Sequence, residues 1–79
     1  MSSREMVIGR CSICKQGMLE IVKEKSSGKL IICCDECEGE WEEPSDALQG
    51  TNGSRNKYGQ TCDVTLNEVS RIGWTHYLL

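Results

Sequence analysis

A small, metal-stabilised α+β domain is what this sequence predicts, and three observations carry it. Two Cys-x-x-Cys pairs are present, a β-hairpin pattern lies between them, and one capped helix follows near the C-terminus. The pairs are Cys11-Ser12-Ile13-Cys14 and Cys34-Asp35-Glu36-Cys37, with 19 residues between them. Each pair can set two thiolates on one tight turn, and the stretch between is long enough for one hairpin that brings the turns together. Four sulfurs then converge on a tetrahedral point, which suits Zn²⁺ and also admits iron. One structural Zn²⁺ on Cys11, Cys14, Cys34 and Cys37 is the expectation. A chain of 79 residues buries only about 60% of its unfolded surface, so a metal is a common supplement to its core.

The hairpin is read from Met18-Leu19-Glu20-Ile21-Val22-Lys23-Glu24-Lys25 and Leu30-Ile31-Ile32-Cys33, joined by Ser26-Ser27-Gly28-Lys29. The β-branched pair Ile21-Val22 favours a strand, and Gly28 can take the positive φ that a tight turn needs. Met6-Val7-Ile8 reads as a short strand entering the first knuckle. Gly17 lets the chain leave that knuckle without a Cβ clash. After Cys37, Gly39 opens a turn into a third short strand centred on Trp41.

Six cysteines could also form disulfides, with 15 possible pairings. The stretch before Cys11 is polar and lacks the apolar core of a secretory leader, and the spacing is that of metal knuckles. Reduced thiols and a cytoplasmic location are therefore expected. Cys34 gives the same two-residue gap as Cys11 and Cys14, and neighbouring side chains in a strand point opposite ways, so Cys34 is assigned to the metal and Cys33 to packing. Cys62 has no paired neighbour, and His76 is the sole histidine; both are read as structural.

The formal charge is −3. Four thiolates around one Zn²⁺ carry a further −2, so the loaded chain stands near −5, which disfavours a general binder of phosphate backbones. Asp35, Glu36, Glu38, Glu40, Glu42, Glu43 and Asp46 place seven carboxylates in twelve residues with no base among them. Such a face can be merely solvated, or can steer a basic protein into contact.

Residues 45–60 read as a spacer. A helical turn over Ser45–Gln49 is capped by Ser45 or Asp46, and a Gly-rich loop follows. In residues 61–79, Thr65 and Glu68 form a capping box for a helix over 66–72, stopped by Gly73. Leu66, Val69 and Ile72 make its apolar stripe. Trp74, Tyr77, Leu78 and Leu79 are expected to fold back on the sheet or to anchor a partner.

Residues 6–44 resemble a zinc ribbon of the rubredoxin-like kind, on Cys11, Cys14, Gly17, Cys34, Cys37 and Trp41. Many such knuckles carry Pro after the first Cys and Gly after the second; this chain has Ser12 and Lys15, and Glu38 follows the last ligand. The whole chain, as one domain over 1–79, is similar in style to compact, acidic bacterial accessory proteins, including immunity proteins that neutralise a basic toxin. That resemblance implies a non-catalytic module whose partner is a basic protein, bound through Asp35, Glu36, Glu38, Glu40, Glu42 and Glu43 with Trp74 or Tyr77. The alternative is a nucleic-acid-binding ribbon that uses Lys23, Lys25 and Lys29 on the hairpin. No apolar run in the sequence approaches a membrane span.

Overall fold

The computed structural model describes residues 6–79. The polar lead-in of residues 1–5 lies outside them. The centre of the fold is the expected hairpin. Strand β2 (Met18–Glu24) pairs antiparallel with β3 (Leu30–Cys34), in a register that sets Leu19 against Cys34 and Ile21 against Ile32. Gly28 takes φ 76 in the turn, and the Ser27 hydroxyl donates to the Glu24 carboxylate at 2.6 Å.

Strand β4 (Glu40–Trp41) lies beside β3, with Trp41 opposite Ile32 and Glu40 opposite Cys33. The free edge of β2 is shared end to end. β1 (Val7–Arg10) takes residues 18–20, and β5 (Thr61–Cys62) takes Lys23 and Glu24. A bulge between Val7 and Gly9 adds one residue to β1. Ile8 is buried in the core cluster as a result, while Val7 stays opposite Glu20 on the other face.

Side-chain alternation gives the sheet one core face. Leu19, Ile21, Ile32 and Trp41 lie on it, packed with Ile8, Ala47, Val64 and Val69. Each large apolar residue buried there contributes roughly 1.5–3 kcal/mol. Truncating Ile32, which is 0% exposed, to Ala would cost about 2–5 kcal/mol.

Helix α1 (Pro44–Gln49) supplies Ala47. It starts one residue earlier than expected: Glu43 is the N-cap residue, without a side-chain cap, and Pro44 opens the helix. Proline suits that first position because its missing N–H would be unpaired there anyway. Gly50, left-handed at φ 75, closes the helix.

Helix α2 (Leu66–Arg71) begins with the full capping box. Thr65 accepts from the Glu68 amide, and Glu68 accepts from the Thr65 amide at 2.9 Å. Of its expected stripe only Val69 is buried; Leu66 and Ile72 are exposed. At about 100° per residue they splay to either side of Val69, and a six-residue helix touches the core along one line. Trp74, Tyr77 and Leu78 fold back and pack partly buried against the core, and the Leu79 amide donates to Val7 O at 3.0 Å.

The stretch read as a spacer contains α1 and then a strap over the second face of the sheet. Ser54 exchanges two backbone hydrogen bonds with Glu40 at the β4 edge, of 2.8 and 2.9 Å. At the opposite edge the Lys25 amide donates to Gln60 O at 2.8 Å, and Thr61 pairs with Glu24. Residues 55–60 must cross β4, β3 and β2 to join these points. Three carboxylates pin them. Glu40 accepts the Lys57 amide at 3.0 Å, Glu42 accepts the Tyr58 hydroxyl at 2.6 Å, and Glu24 accepts the Gly59 amide at 2.8 Å. Ile31, fully buried although it points away from the core cluster, sits on the face that the strap crosses.

Candidate metal centre

Each knuckle is built the same way. The first cysteine is buried and ends or follows a strand, and the second is half-buried at the tip of the turn. The Cys11 amide donates to Gly17 O at 2.9 Å, and the Cys34 amide to Gly39 O at 3.0 Å, which closes both loops. One residue beyond the second cysteine of each, Lys15 and Glu38 take φ 61 and φ 62. Those left-handed positions explain why glycine is frequent there in ribbons of this kind, and here two ordinary residues accept the strain.

The two turns meet through the hairpin. Cys11 Sγ lies 3.8 Å from Cys37 Sγ, and Cys14 Sγ lies 3.6 Å from Cys34 Sγ. All four sulfurs fall within 4.8 Å of one another. A tetrahedron with metal–sulfur bonds of about 2.3 Å has edges of about 3.8 Å, so the cage has the size a single zinc needs. A disulfide would need sulfurs at about 2.05 Å, and all six cysteines are free thiols. Cys33 stays out of the cage, on the strap face opposite Glu20 and Glu40. Burial first, then the Glu40 and Glu20 charges, pushes its thiol up to about 11, so it is an unreactive packing group.

Backbone donors converge on the cage. Gly17 N–H reaches Cys14 Sγ at 3.4 Å, and the amides of Glu36 and Cys37 each reach Cys34 Sγ at 3.4 Å. Amides of Gln16 and Gly17 bring the Cys14 thiol down to about 6. Burial pushes Cys34 up to about 12, against the pull of the Cys37 and Glu36 amides. Zinc held by Cys11, Cys14, Cys34 and Cys37 would supply cross-linking, fixing β1, β2 and β3 to one point. Four thiolates close its coordination and leave no position for a reactive water. This is the architecture of a non-catalytic structural or interaction domain.

The structure separates the seven carboxylates by duty. Asp35 accepts the Met18 amide at 2.8 Å and ties the second knuckle to β2. Glu40 and Glu42 hold the strap, and Glu42 also meets Lys57 at 3.1 Å and Lys29 at 3.4 Å. Asp46 receives the Thr51 hydroxyl at 3.2 Å. Glu36, Glu38 and Glu43 are exposed, and no ion pair reaches them among the described residues. The sequence reading did not anticipate the strap. Its signal was the i, i+2 spacing of Glu40 and Glu42, which in extended chain points both side chains the same way.

Trp74 and Tyr77 are half-buried against the core, and His76 stacks tilted on Tyr77 with ring centres 4.2 Å apart. Lys23 forms an ion pair with Glu68 at 2.5 Å, and Lys29 pairs with Glu42, so two of the three hairpin lysines are neutralised within the molecule.

Compared with known families, curated proteins and solved structures, the chain matches none of them. The four-cysteine cage within a compact β-plus-helix domain is zinc-ribbon-like in its arrangement. No helix among the described residues is long and apolar enough to cross a membrane.

Proposed function

We propose that this protein is a zinc-stabilised protein-interaction module that binds a basic protein partner beside its second knuckle, with neutralisation of a basic toxin as the specific form of that role. The observation that carries this reading is the trio Glu36, Glu38 and Glu43. They are exposed carboxylates without ion pairs among the described residues, close in sequence to a cage that holds two negative charges when loaded. Asp35, Glu40 and Glu42 support the surface from within, and Trp74 and Tyr77 offer only their exposed edges.

A nucleic-acid surface on Lys23, Lys25 and Lys29 has weaker support, since Glu68 and Glu42 already occupy two of those lysines. A protein that tracks phosphates needs several free cations on one face.

The test is affinity purification of the tagged protein from its native host, with metal analysis of the same sample. The expected result is one basic protein at equal stoichiometry and about one zinc per chain. Reversing Glu36, Glu38 and Glu43 to Lys should weaken that complex by about tenfold or more while zinc content holds. Unchanged affinity would end the acidic-surface reading, and recovery of nucleic acid in place of a protein would replace it.

A further inference from the structure

Two concavities lie on either side of Gly53 and Ser54, and their walls differ. One, of about 310 Å³, is bounded by Ile13 at the tip of the first knuckle, Gly39, Trp41, Gly53 and Arg55, and reaches Cys37. Its surface is mostly apolar. The other, of about 340 Å³, is bounded by Glu42, Glu43, Asp46, Asn52 and Lys57. Glu42 and Lys57 satisfy each other there, which leaves the charge of Glu43 and Asp46.

We propose that this double cleft takes a segment of the partner in which an apolar side chain stands next to a Lys or Arg. The apolar side chain enters the Trp41 cleft, and the base reaches Glu43 and Asp46. This rests on the reading above that the partner is basic, and it names the part of that partner which is recognised.

Three observations favour that occupant. Trp41 is 2% exposed, yet its Nε1 has no hydrogen-bond acceptor, an expensive arrangement for a buried donor. The nitrogen lies at the Gly53 wall, where a Cβ would come within 2.8 Å of it. The nitrogen is closed off behind Gly53, so a main-chain carbonyl of the partner supplies the missing acceptor only as the Gly53 loop moves aside to seat it. Ile13 is 54% exposed at the rim, an apolar side chain with little covering it. Arg55 is the one cation among the residues bounding the apolar cleft, and no described carboxylate pairs with it. It repels a base from that side and can donate to carbonyls, so the base is directed across Gly53 to the acidic side. The side of Gly53 that each side chain takes is thereby fixed.

The experiment is an NMR titration of the zinc-loaded full chain with three acetylated, amidated peptides: Ala-Leu-Lys-Ala, Ala-Leu-Glu-Ala and Ala-Ser-Lys-Ala. The Trp41 indole N–H resonance reports on the cleft directly. The Leu-Lys peptide is expected to move it with an affinity at least about fivefold above either control. Gly53→Ala and, at the exposed rim, Ile13→Ser should each reduce that affinity by about fivefold or more. An unmoved indole resonance, or equal affinities for the three peptides, would overturn the proposal. The native complex separates this inference from the reading beneath it. If charge reversal at Glu36, Glu38 and Glu43 weakens the partner but Ile13→Ser does not, the cleft fails and the acidic surface stands. If the peptides bind as expected and charge reversal has no effect on the partner, the acidic surface fails instead.

Discussion

Gly17 stands so close to Cys34 that a Cβ built on it would lie 2.6 Å from the Cys34 sulfur. The same atom would lie 2.7 Å from the Asp35 carboxylate. Its φ is not among the positive ones, so the reason for glycine here is space, not backbone freedom. Gly17→Ala must push the two knuckles apart at the sulfur cage. We expect zinc affinity to fall by about 10–100-fold, the range seen when the groups supporting a metal's ligands are disturbed. Competition with a chromophoric chelator measures it, and wild-type affinity in the variant would show that the knuckles can shift freely.

Metal removal should unfold the chain. The cage joins elements from residues 11 to 37, and the core beside it is small. Metal-binding energy in comparable modules is on the order of 10–16 kcal/mol, more than a domain of this size holds in its core. Circular dichroism during chelation should show loss of the sheet, and zinc at one equivalent should restore it. A metal-free chain that kept its sheet would place the stability elsewhere.

The left-handed residues offer a gain. At Lys15 and Glu38 an ordinary side chain occupies a conformation that costs roughly 1–2 kcal/mol, less what glycine adds to the entropy of the unfolded chain. Lys15→Gly should therefore stabilise the zinc-loaded protein by about 0.5–1 kcal/mol in denaturant melts. Gly28→Ala, at φ 76 with open space around it, should lose about 1 kcal/mol through backbone strain alone. Equal effects of opposite sign would confirm that backbone conformation, and not contact, governs these turns.

The strap can be followed by titration. Burial raises Tyr58 above its ordinary value of 10.0, and the hydrogen bond and charge of Glu42 add to the rise. The folded state therefore favours the neutral phenol. Its contribution to stability is complete below pH 10 and fades as pH rises from there through the folded value. The phenolate absorbance of the Tyr77→Phe variant should appear late. Glu42→Gln should bring it back toward 10. A Tyr58 that titrates normally in both would mean that the strap is not held at this point.

The hairpin and the clustering of the four knuckle cysteines were legible because their signals are local. Two knuckles at fixed spacing, a glycine turn and the Thr65–Glu68 capping box each determine their own few residues. Cys34 was separable from Cys33 because it repeats the two-residue gap of Cys11 and Cys14, while strand alternation turns Cys33 the other way. The strap was not legible, since it depends on pairings such as Gly59 with Glu24, 35 positions apart, which no short window contains. The α2 stripe misled for a related reason: periodicity states which side chains share a side, and only the tertiary arrangement states how wide a contact the helix makes. The charge run misled partly too. Counting carboxylates around Glu40 and Glu42 could not reveal that the strap engages them.

The half-buried thiols Cys14 and Cys37, against the buried Cys11 and Cys34, make the cage one-sided. Soluble electrophiles and chelators approach along a single hemisphere, where they meet Cys14 and Cys37 first. Exchange of a bound metal and oxidation should therefore begin at the tips of the turns, and the sulfurs that anchor the cage to β1 and β3 should react last.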